Sequence, residues 1–358
     1  MPGLRRSDDQ IRGLPLLPGL RLGALRMTWQ ELDRRERGTR FVAITPRTVL
    51  NSSSATHMAF WSINPYIGCE FGCAYCYARD THRWTLQRAL DAAGSSEAAR
   101  EAAALPAAEA FERRILVKQH AAERLIASLR PDRLAGAALV IGTATDPYQP
   151  AERIFGVTRS LLEALLNYRG LRLGIITKST LIARDTALLA ALSGRHHVTI
   201  HLSLAAIDAP LLRRIEPRTP VPLARLRTMR KLSEAGVRVG LLIAPILPGI
   251  TDGEDQLRAL IAAAIAHGAS WVAGSPLRMG PATRATLMPW LAHHRPDLSA
   301  RYAAHYGARQ HVSRAYQDAL GRRLDALQRA LGIEPRDGMR HERDLARARR
   351  AAQLSLEL

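Results

Sequence analysis

The feature that most limits the fold is a regular alternation of short apolar runs with helical stretches. Apolar or β-rich runs occupy residues 58–63, 137–142, 171–177, 198–204, 237–244 and 270–274, and helical stretches occupy 111–129, 152–168, 184–192, 223–235 and 254–267. Apolar residues in the last two helical stretches recur at spacings of three and four, the period of a helix with one buried face. Gly170, Gly236 and Gly268 each follow a helical stretch, where a left-handed residue commonly ends a helix. Strands that alternate with helices over short connections pair in parallel, because each crossover returns the chain to the same end of the sheet. The expected fold is therefore α/β: a partial (β/α)6 TIM-like barrel over residues 56–280. An N-terminal extension (1–55) and a helical C-terminal extension (281–358) flank it.

Outside this core the pattern weakens. Residues 1–55 show no sustained period and read as an extension packed on the barrel. Residues 92–110 are rich in Ala and Glu but carry Gly94, Ser95, Ser96 and Pro106, so a loop or weak helix is expected. Residues 281–298 mix a helical pattern with turn residues, and 310–331 have a better apolar stripe. No internal repeat is visible. The tail at 340–350 mixes many arginines with a few acids and reads as a solvated helix face. The apolar stretch at 14–25 is interrupted by Pro15, Pro18 and Arg21, too short to cross a bilayer. Arg5 and Arg6 are not followed by the apolar segment and cleavage site of a signal peptide. A cytoplasmic protein with no membrane partner is the expectation.

The net charge is +19, almost all of it from arginine, since Lys118, Lys178 and Lys231 are the only lysines. A surplus of this size suits a polyanionic partner, because each neutralised phosphate releases counterions. It also serves solubility, and charge alone does not choose between these uses. Nucleic acid is one partner class it permits.

Three cysteines, all in Cys69-Glu-Phe-Gly-Cys73-Ala-Tyr-Cys76, are the whole complement of the chain. A disulfide framework uses an even number and spreads them out. Three thiolates on one short loop instead suit a single soft metal centre. Zinc with His82 as fourth ligand is one reading, but structural zinc sites usually pair two close ligands with a distant second couple, which this chain lacks. A fully ligated [4Fe–4S] cluster takes four cysteines, so three leave one iron without a cysteine.

Cys-x3-Cys-x2-Cys, with Tyr75 just before the last cysteine, resembles the signature of radical S-adenosylmethionine (SAM) enzymes. The resemblance implies a [4Fe–4S] cluster on Cys69, Cys73 and Cys76, whose fourth iron binds SAM. It further implies reductive cleavage of SAM to a 5′-deoxyadenosyl radical that abstracts hydrogen from a substrate. An electron donor such as a flavodoxin or ferredoxin is implied as a partner. The cofactor supplies the hard chemistry and the protein fixes geometry and excludes water.

Chemistry in such barrels gathers at the C-terminal ends of the strands. Four segments lie there: Thr143-Ala-Thr-Asp-Pro-Tyr-Gln-Pro-Ala-Glu152, Thr177-Lys-Ser179, His201-Leu-Ser-Leu204 and Ala244-Pro-Ile-Leu-Pro-Gly-Ile-Thr-Asp252. Each also has a plain structural use: Pro147 and Pro150 in a turn, Thr251 and Asp252 at a helix cap, Ser203 as a buried hydroxyl. With the run Asn64-Pro-Tyr-Ile-Gly-Cys through Arg79, and with Glu216-Pro-Arg-Thr-Pro220, they resemble the spore photoproduct lyase-like branch of radical SAM proteins, over about residues 45–300. That resemblance implies Tyr75 near the adenine, Thr145 and Asp146 as a SAM-contacting segment, and Lys178 as a cation for the SAM carboxylate. It implies Ser203 as a hydroxyl at the ribose or carboxylate, and Pro245, Pro248 and Gly249 as a turn over the adenine. Spore photoproduct lyase itself uses a further cysteine just after the second strand as a hydrogen donor; Thr143 occupies that place here. A threonine O–H is too strong a bond for that role, so the same lysis reaction is not expected. Tyr66, Tyr77 and Tyr148 are open as alternative donors, beside the plainer reading that they are aromatic packing near a cofactor. Two readings from other classes stand beside this one: a non-catalytic iron–sulfur electron carrier or redox sensor, and a nucleic-acid-binding protein with a structural metal.

Overall fold

The computed structural model describes residues 26–36, 38–56, 58–82, 107–134, 136–307 and 309–335. The expectations for residues 14–25, most of 92–110 and 340–350 lie outside them. Each of the six expected strands is present, the first three shorter than their apolar runs and the last three shifted by one or two residues: β4 (Trp61–Ile63), β7 (Leu139–Ile141), β8 (Arg172–Thr177), β9 (His197–Ser203), β10 (Val239–Ile246) and β11 (Val272–Pro276). They lie in one sheet of order β11-β10-β9-β8-β7-β4, with β3 (Leu50–Asn51) antiparallel on the outer edge of β4. Every pairing among the six is parallel. Among the described residues the sheet does not close on itself, as a partial barrel requires.

Register places Ile175 beside Ile200 and Leu202 beside Leu241. These side chains, with Leu139 and Ile243, join one continuous core with the crossover helices. The Pro222–Glu234 helix shows how. Proline opens it, where the missing N–H costs nothing, Leu226, Met229 and Leu232 are buried, and Gly236 follows at φ 75°. Gly268 is likewise at positive φ just beyond its helix, and Gly170 is at positive φ in the turn that leads into β8.

Two expectations are corrected. Residues 111–129 are not one helix. A helix at Ala107–Arg113 gives way to β6 (Arg114–Lys118), and a second helix follows at Ala121–Ser128. All five β6 residues are buried, and such a run cannot be told from a buried helix by periodicity. Its β-branched Ile115 and Val117 face the main core, while Leu116 packs with Val42, Ile44 and Ile67 on the other side. The segment before residue 55 is also more regular than its pattern suggests. β1 (Arg26–Arg34) and β2 (Arg40–Thr45) build a second sheet with β6 and β5 (Tyr66–Ile67), in the order β1-β2-β6-β5. Register irregularities in β1 break the two-residue alternation by which a strand is recognised.

After β11 the chain is helical, at Pro281–His294, Pro296–Tyr306 and Arg314–Ala330. No helix of the described residues is long and apolar enough to cross a membrane.

Candidate functional site

The cysteine loop leaves β4, touches the second sheet at β5, and is then held by backbone bonds from two directions. Cys69 N–H donates to Phe111 O (2.9 Å) and Ala74 N–H donates to Ile215 O (2.9 Å). Gly72 sits at φ 63°, and a Cβ there would collide with the Arg218 and Glu112 side chains. The guanidinium of Arg79, itself buried, donates to Cys73 O at 3.0 and 3.3 Å and pairs with Glu112. Arg218 pairs with Glu112 and donates to Glu70 O, and Arg35 binds the Glu70 carboxylate at 2.5 Å. The loop is thus fixed in outline before any ligand arrives.

All three thiols are free; Cys69 and Cys73 are buried and Cys76 half-buried. Burial pushes each above the ordinary cysteine range. The Glu216 charge raises Cys73 further, whereas Arg79 acts to lower Cys76. Buried thiols on one short loop suit a cationic metal centre that takes them as thiolates. The donor set does not suit one zinc ion. Among the described residues no group of three or more His, Cys, Asp or Glu side chains is placed to hold a single metal ion. A multi-iron cluster, where each cysteine takes its own iron, needs a wider spread than a zinc tetrahedron. His82 is buried edge-on to Phe111 at 5.4 Å, and burial lowers its pKa to about 4.

The strand-end residues divide into two groups. Lys178, at the end of β8, donates from Nζ to Ser203 Oγ (2.9 Å) at the end of β9, and Nζ lies 5.7 Å from the Tyr75 ring centroid. Ser203 in turn donates to Ala244 O (3.2 Å) on β10. One cation, one hydroxyl and one ring from the cysteine loop therefore meet across three strand ends. Thr145 and Asp146 bond to the protein around the cysteine loop and β8. Thr145 Oγ1 donates to Gly68 O (2.6 Å), and Gln149 Nε2 reaches both Gly68 O (3.1 Å) and Thr145 Oγ1 (3.0 Å). Gln149 Oε1 also accepts from Glu70 N–H (2.9 Å). The Asp146 carboxylate accepts from Thr177 Oγ1 and Lys178 N–H, both 2.7 Å, and from Tyr148 N–H at 2.9 Å. Burial raises its pKa against these bonds.

Pro248 and Gly249 lie on a turn that the C-terminal helices grip. Tyr302 Oη donates to Pro248 O (2.7 Å), Arg295 to Gly249 O (3.4 Å), Tyr316 Oη to Asp252 (2.7 Å) and Arg323 to Asp252 O (2.8 Å). Gly249 is at φ 72°, with Leu298 3.2 Å from where a Cβ would stand. The first of these helices also binds the far side of the site. Asp80 accepts from Ala282 N–H (2.7 Å) and Thr283 Oγ1 (2.8 Å), and Thr283 reaches Cys76 O at 3.2 Å. Tyr302→Phe is expected to cost about 1 kcal/mol, the worth of one hydrogen bond, read as a lower urea midpoint with an unchanged slope.

Sequence reasoning gave no role to Glu216 and Arg225. Both are buried and they form an ion pair; Tyr75 Oη donates to Glu216, and Arg225 donates to Ser203 O at 3.1 Å. Glu216 stood inside a recognised motif, so its acid was visible. Arg225, on an amphipathic helix, looked like any surface arginine of a basic protein. Of the three tyrosines, Tyr66 and Tyr148 are fully buried, whereas Tyr77 is 38% exposed and its hydroxyl donates to Thr143 O.

The radical SAM superfamily model matches residues 63–261. An uncharacterized protein of Mycobacterium tuberculosis (strain H37Rv) is 32% identical over 334 residues, 90% of each chain. An uncharacterized protein of Methanocaldococcus jannaschii is 27% identical over 196 residues, covering 55% of this chain and 64% of that protein. Among solved structures, a spore photoproduct lyase mutant with bound AdoMet and dinucleoside spore photoproduct superposes with a TM-score of 0.57. It is 17% identical and covers 82% of this chain and 79% of its own. A second, spore photoproduct lyase complexed with dinucleoside spore photoproduct, also gives 0.57 at 18% identity, over the same shares of both chains. At that identity the likeness is one of fold. The family match spans the cysteine loop and the strand ends gathered around it, and on it the chain belongs to the radical SAM superfamily.

Proposed function

We propose that Cys69, Cys73 and Cys76 hold a [4Fe–4S] cluster and that Lys178, Ser203 and Tyr75 form the SAM side of the site. When bound, the cluster and SAM together supply reductive cleavage of SAM to a 5′-deoxyadenosyl radical that abstracts hydrogen from a substrate. The observation that carries this reading is the meeting of Lys178 Nζ, Ser203 Oγ and the Tyr75 ring beside three free thiols. The hydrogen-bond partner of the ammonium is a hydroxyl, not a carboxylate, so Lys178 is suited to receive the carboxylate of a ligand by a charge-assisted bond. An electron carrier has no use for such a group.

Thr145, Asp146 and Gln149 then serve the site from beneath: Thr145 and Gln149 hold Gly68 and Glu70, and Asp146 holds the Lys178 backbone. Pro248 and Gly249 close it from the β10 side. Residues 56–280 form the working core in this reading, with 1–55 and 281–358 as its appendages in a cytoplasmic enzyme.

The net charge of +19 makes nucleic acid a candidate substrate, and the spore photoproduct lyase of similar fold is seen with a dinucleoside photoproduct. Thr143 in place of a donor cysteine separates this chain from that reaction. The test is anaerobic reconstitution with iron and sulfide, then dithionite reduction with SAM present. Release of 5′-deoxyadenosine supports the proposal; a cluster that forms without cleaving SAM contradicts it. Lys178→Met is expected to raise the SAM KM by about tenfold or more, the loss of one charge-assisted bond of about 1.5–3 kcal/mol, with iron content unchanged.

A further inference from the structure

The parallel sheet has an inward face besides the one that the crossover helices cover. Ile175, Ile200, Leu202 and Leu241 share the covered face and are buried. Successive residues of a strand point to opposite sides. Ile176, His201 and Gly240, paired in register, therefore share the inward face, as do Thr199, Ser203 and Leu242. Lys178 belongs to it too, since its Nζ meets Ser203 Oγ. In a closed barrel this face is a packed core. Here Ile176, Thr199, His201 and Leu242 are each half-buried, as is Ala273, the partner of Leu242 on β11. The open sheet thus leaves a lumen beneath the Lys178–Ser203 pair. Its floor is aromatic: the His201 and Trp271 rings meet edge-on, 4.6 Å between centroids. Gly240 makes room for them, because a Cβ there would run into the Trp271 ring. His201 lies two residues, about 7 Å, below Ser203 on its strand.

We propose that this lumen receives a neutral heterocyclic ring of the substrate, with His201 as the residue that selects it. The inference rests on the proposed SAM site and names the class of group that site acts on. Charge, polarity and depth each narrow the occupant. From the level of Thr199 to that of Ser203, the inward positions of β8 to β11 among the described residues hold no acid and no arginine. Their one ammonium, Lys178, stands at the top, where the proposed function assigns it to the SAM carboxylate. A charged group set lower would be enclosed without a counter-ion, which is costly. An aliphatic chain would take water from Thr199 and His201 and return no hydrogen bond. A flat ring with polar edges packs against the His201–Trp271 pair and bonds to those side chains. The depth agrees as well, since one ring standing on His201 reaches the level of Ser203.

The test is equilibrium dialysis of radiolabelled uracil, adenine and orotate (uracil bearing a carboxylate) against the reconstituted protein saturated with S-adenosylhomocysteine. The expected result is binding of uracil or adenine, with orotate at least about tenfold weaker than the base that binds. His201→Ala should raise the dissociation constant of that base about tenfold or more, through loss of a hydrogen bond and a ring contact together. His201→Gln, which keeps a hydrogen-bonding group, should recover part of the loss, and Ala273→Leu should fill the lumen and remove binding. Dithionite-driven release of 5′-deoxyadenosine should stay at the wild-type rate in all three, which verifies folding and the SAM side. A wild type that cleaves SAM but binds neither base would overturn the proposal. So would orotate binding as tight as that of the base, or base binding that His201→Ala and Ala273→Leu leave unchanged. Displacement of the base by a single-stranded oligodeoxynucleotide would assign the ring to a nucleic acid, and its absence to a small molecule; both support the neutral-ring pocket. A wild type that does not cleave SAM would instead remove the proposed site itself.

Discussion

Cys73→Ala is expected to abolish 5′-deoxyadenosine release, to the level of a sample without protein, and to lower bound iron sharply after reconstitution. The expectation follows from the donor count. In the proposed cluster three thiolates hold three irons and leave the fourth for SAM; two would leave a second iron without its thiolate, and such clusters rely on cysteine sulfur for their stability. No other cysteine exists in the chain to replace the lost one. The substitution removes one sulfur from a loop whose shape is set elsewhere, by Arg79, Arg218, Gln149 and the backbone bonds of Cys69 and Ala74. Circular dichroism of the metal-free variant should therefore match the wild type. Iron analysis and chromatographic quantitation of 5′-deoxyadenosine check both halves. A variant that still releases 5′-deoxyadenosine would dismiss Cys73 as a ligand.

Arg225→Met is expected to lower unfolding stability by about 3–5 kcal/mol, the cost of leaving a buried carboxylate without its partner. Arg225 and Glu216 are both buried, and the pair also takes bonds from Thr219 and Tyr75. Arg225 further donates to Pro220 O (2.8 Å) and Ser203 O (3.1 Å), so its loss unsettles Tyr75 and Ser203 together. Urea unfolding measures the effect. The double substitution Glu216→Gln/Arg225→Met should cost less than the sum of the single changes, because the coupling term of a pair in contact is large. Strict additivity would contradict the pairing.

How far the sequence reaches differs by element. The six parallel strands were legible as apolar runs, and the helices at 223–235 and 254–267 by their period and by a following glycine that the structure finds at positive φ. β6 was not. Buried on both faces, it lacks the alternation that marks a strand. The cysteine loop was legible from spacing alone. The site around it was legible in part. Lys178 and Ser203 were named and meet across two strand ends, and Thr145 and Asp146, also named, bond to Gly68 O and to the Lys178 backbone beside them. A one-dimensional motif marks which residues lie near a site, but not which way each hydroxyl or carboxylate turns. Arg225 shows the reverse case. Its role depends on burial, and in a chain this rich in arginine nothing local distinguishes a buried guanidinium from a solvated one.

The central claim is that three cysteines hold a cluster with one iron open to SAM. Electron paramagnetic resonance of the dithionite-reduced protein, with and without SAM, tests it most directly. A reduced-cluster signal whose g-values shift when SAM is added, with 5′-deoxyadenosine appearing in the same sample, is the predicted result. A signal that SAM leaves unchanged, with no 5′-deoxyadenosine, would contradict it and return the chain to the class of electron carriers.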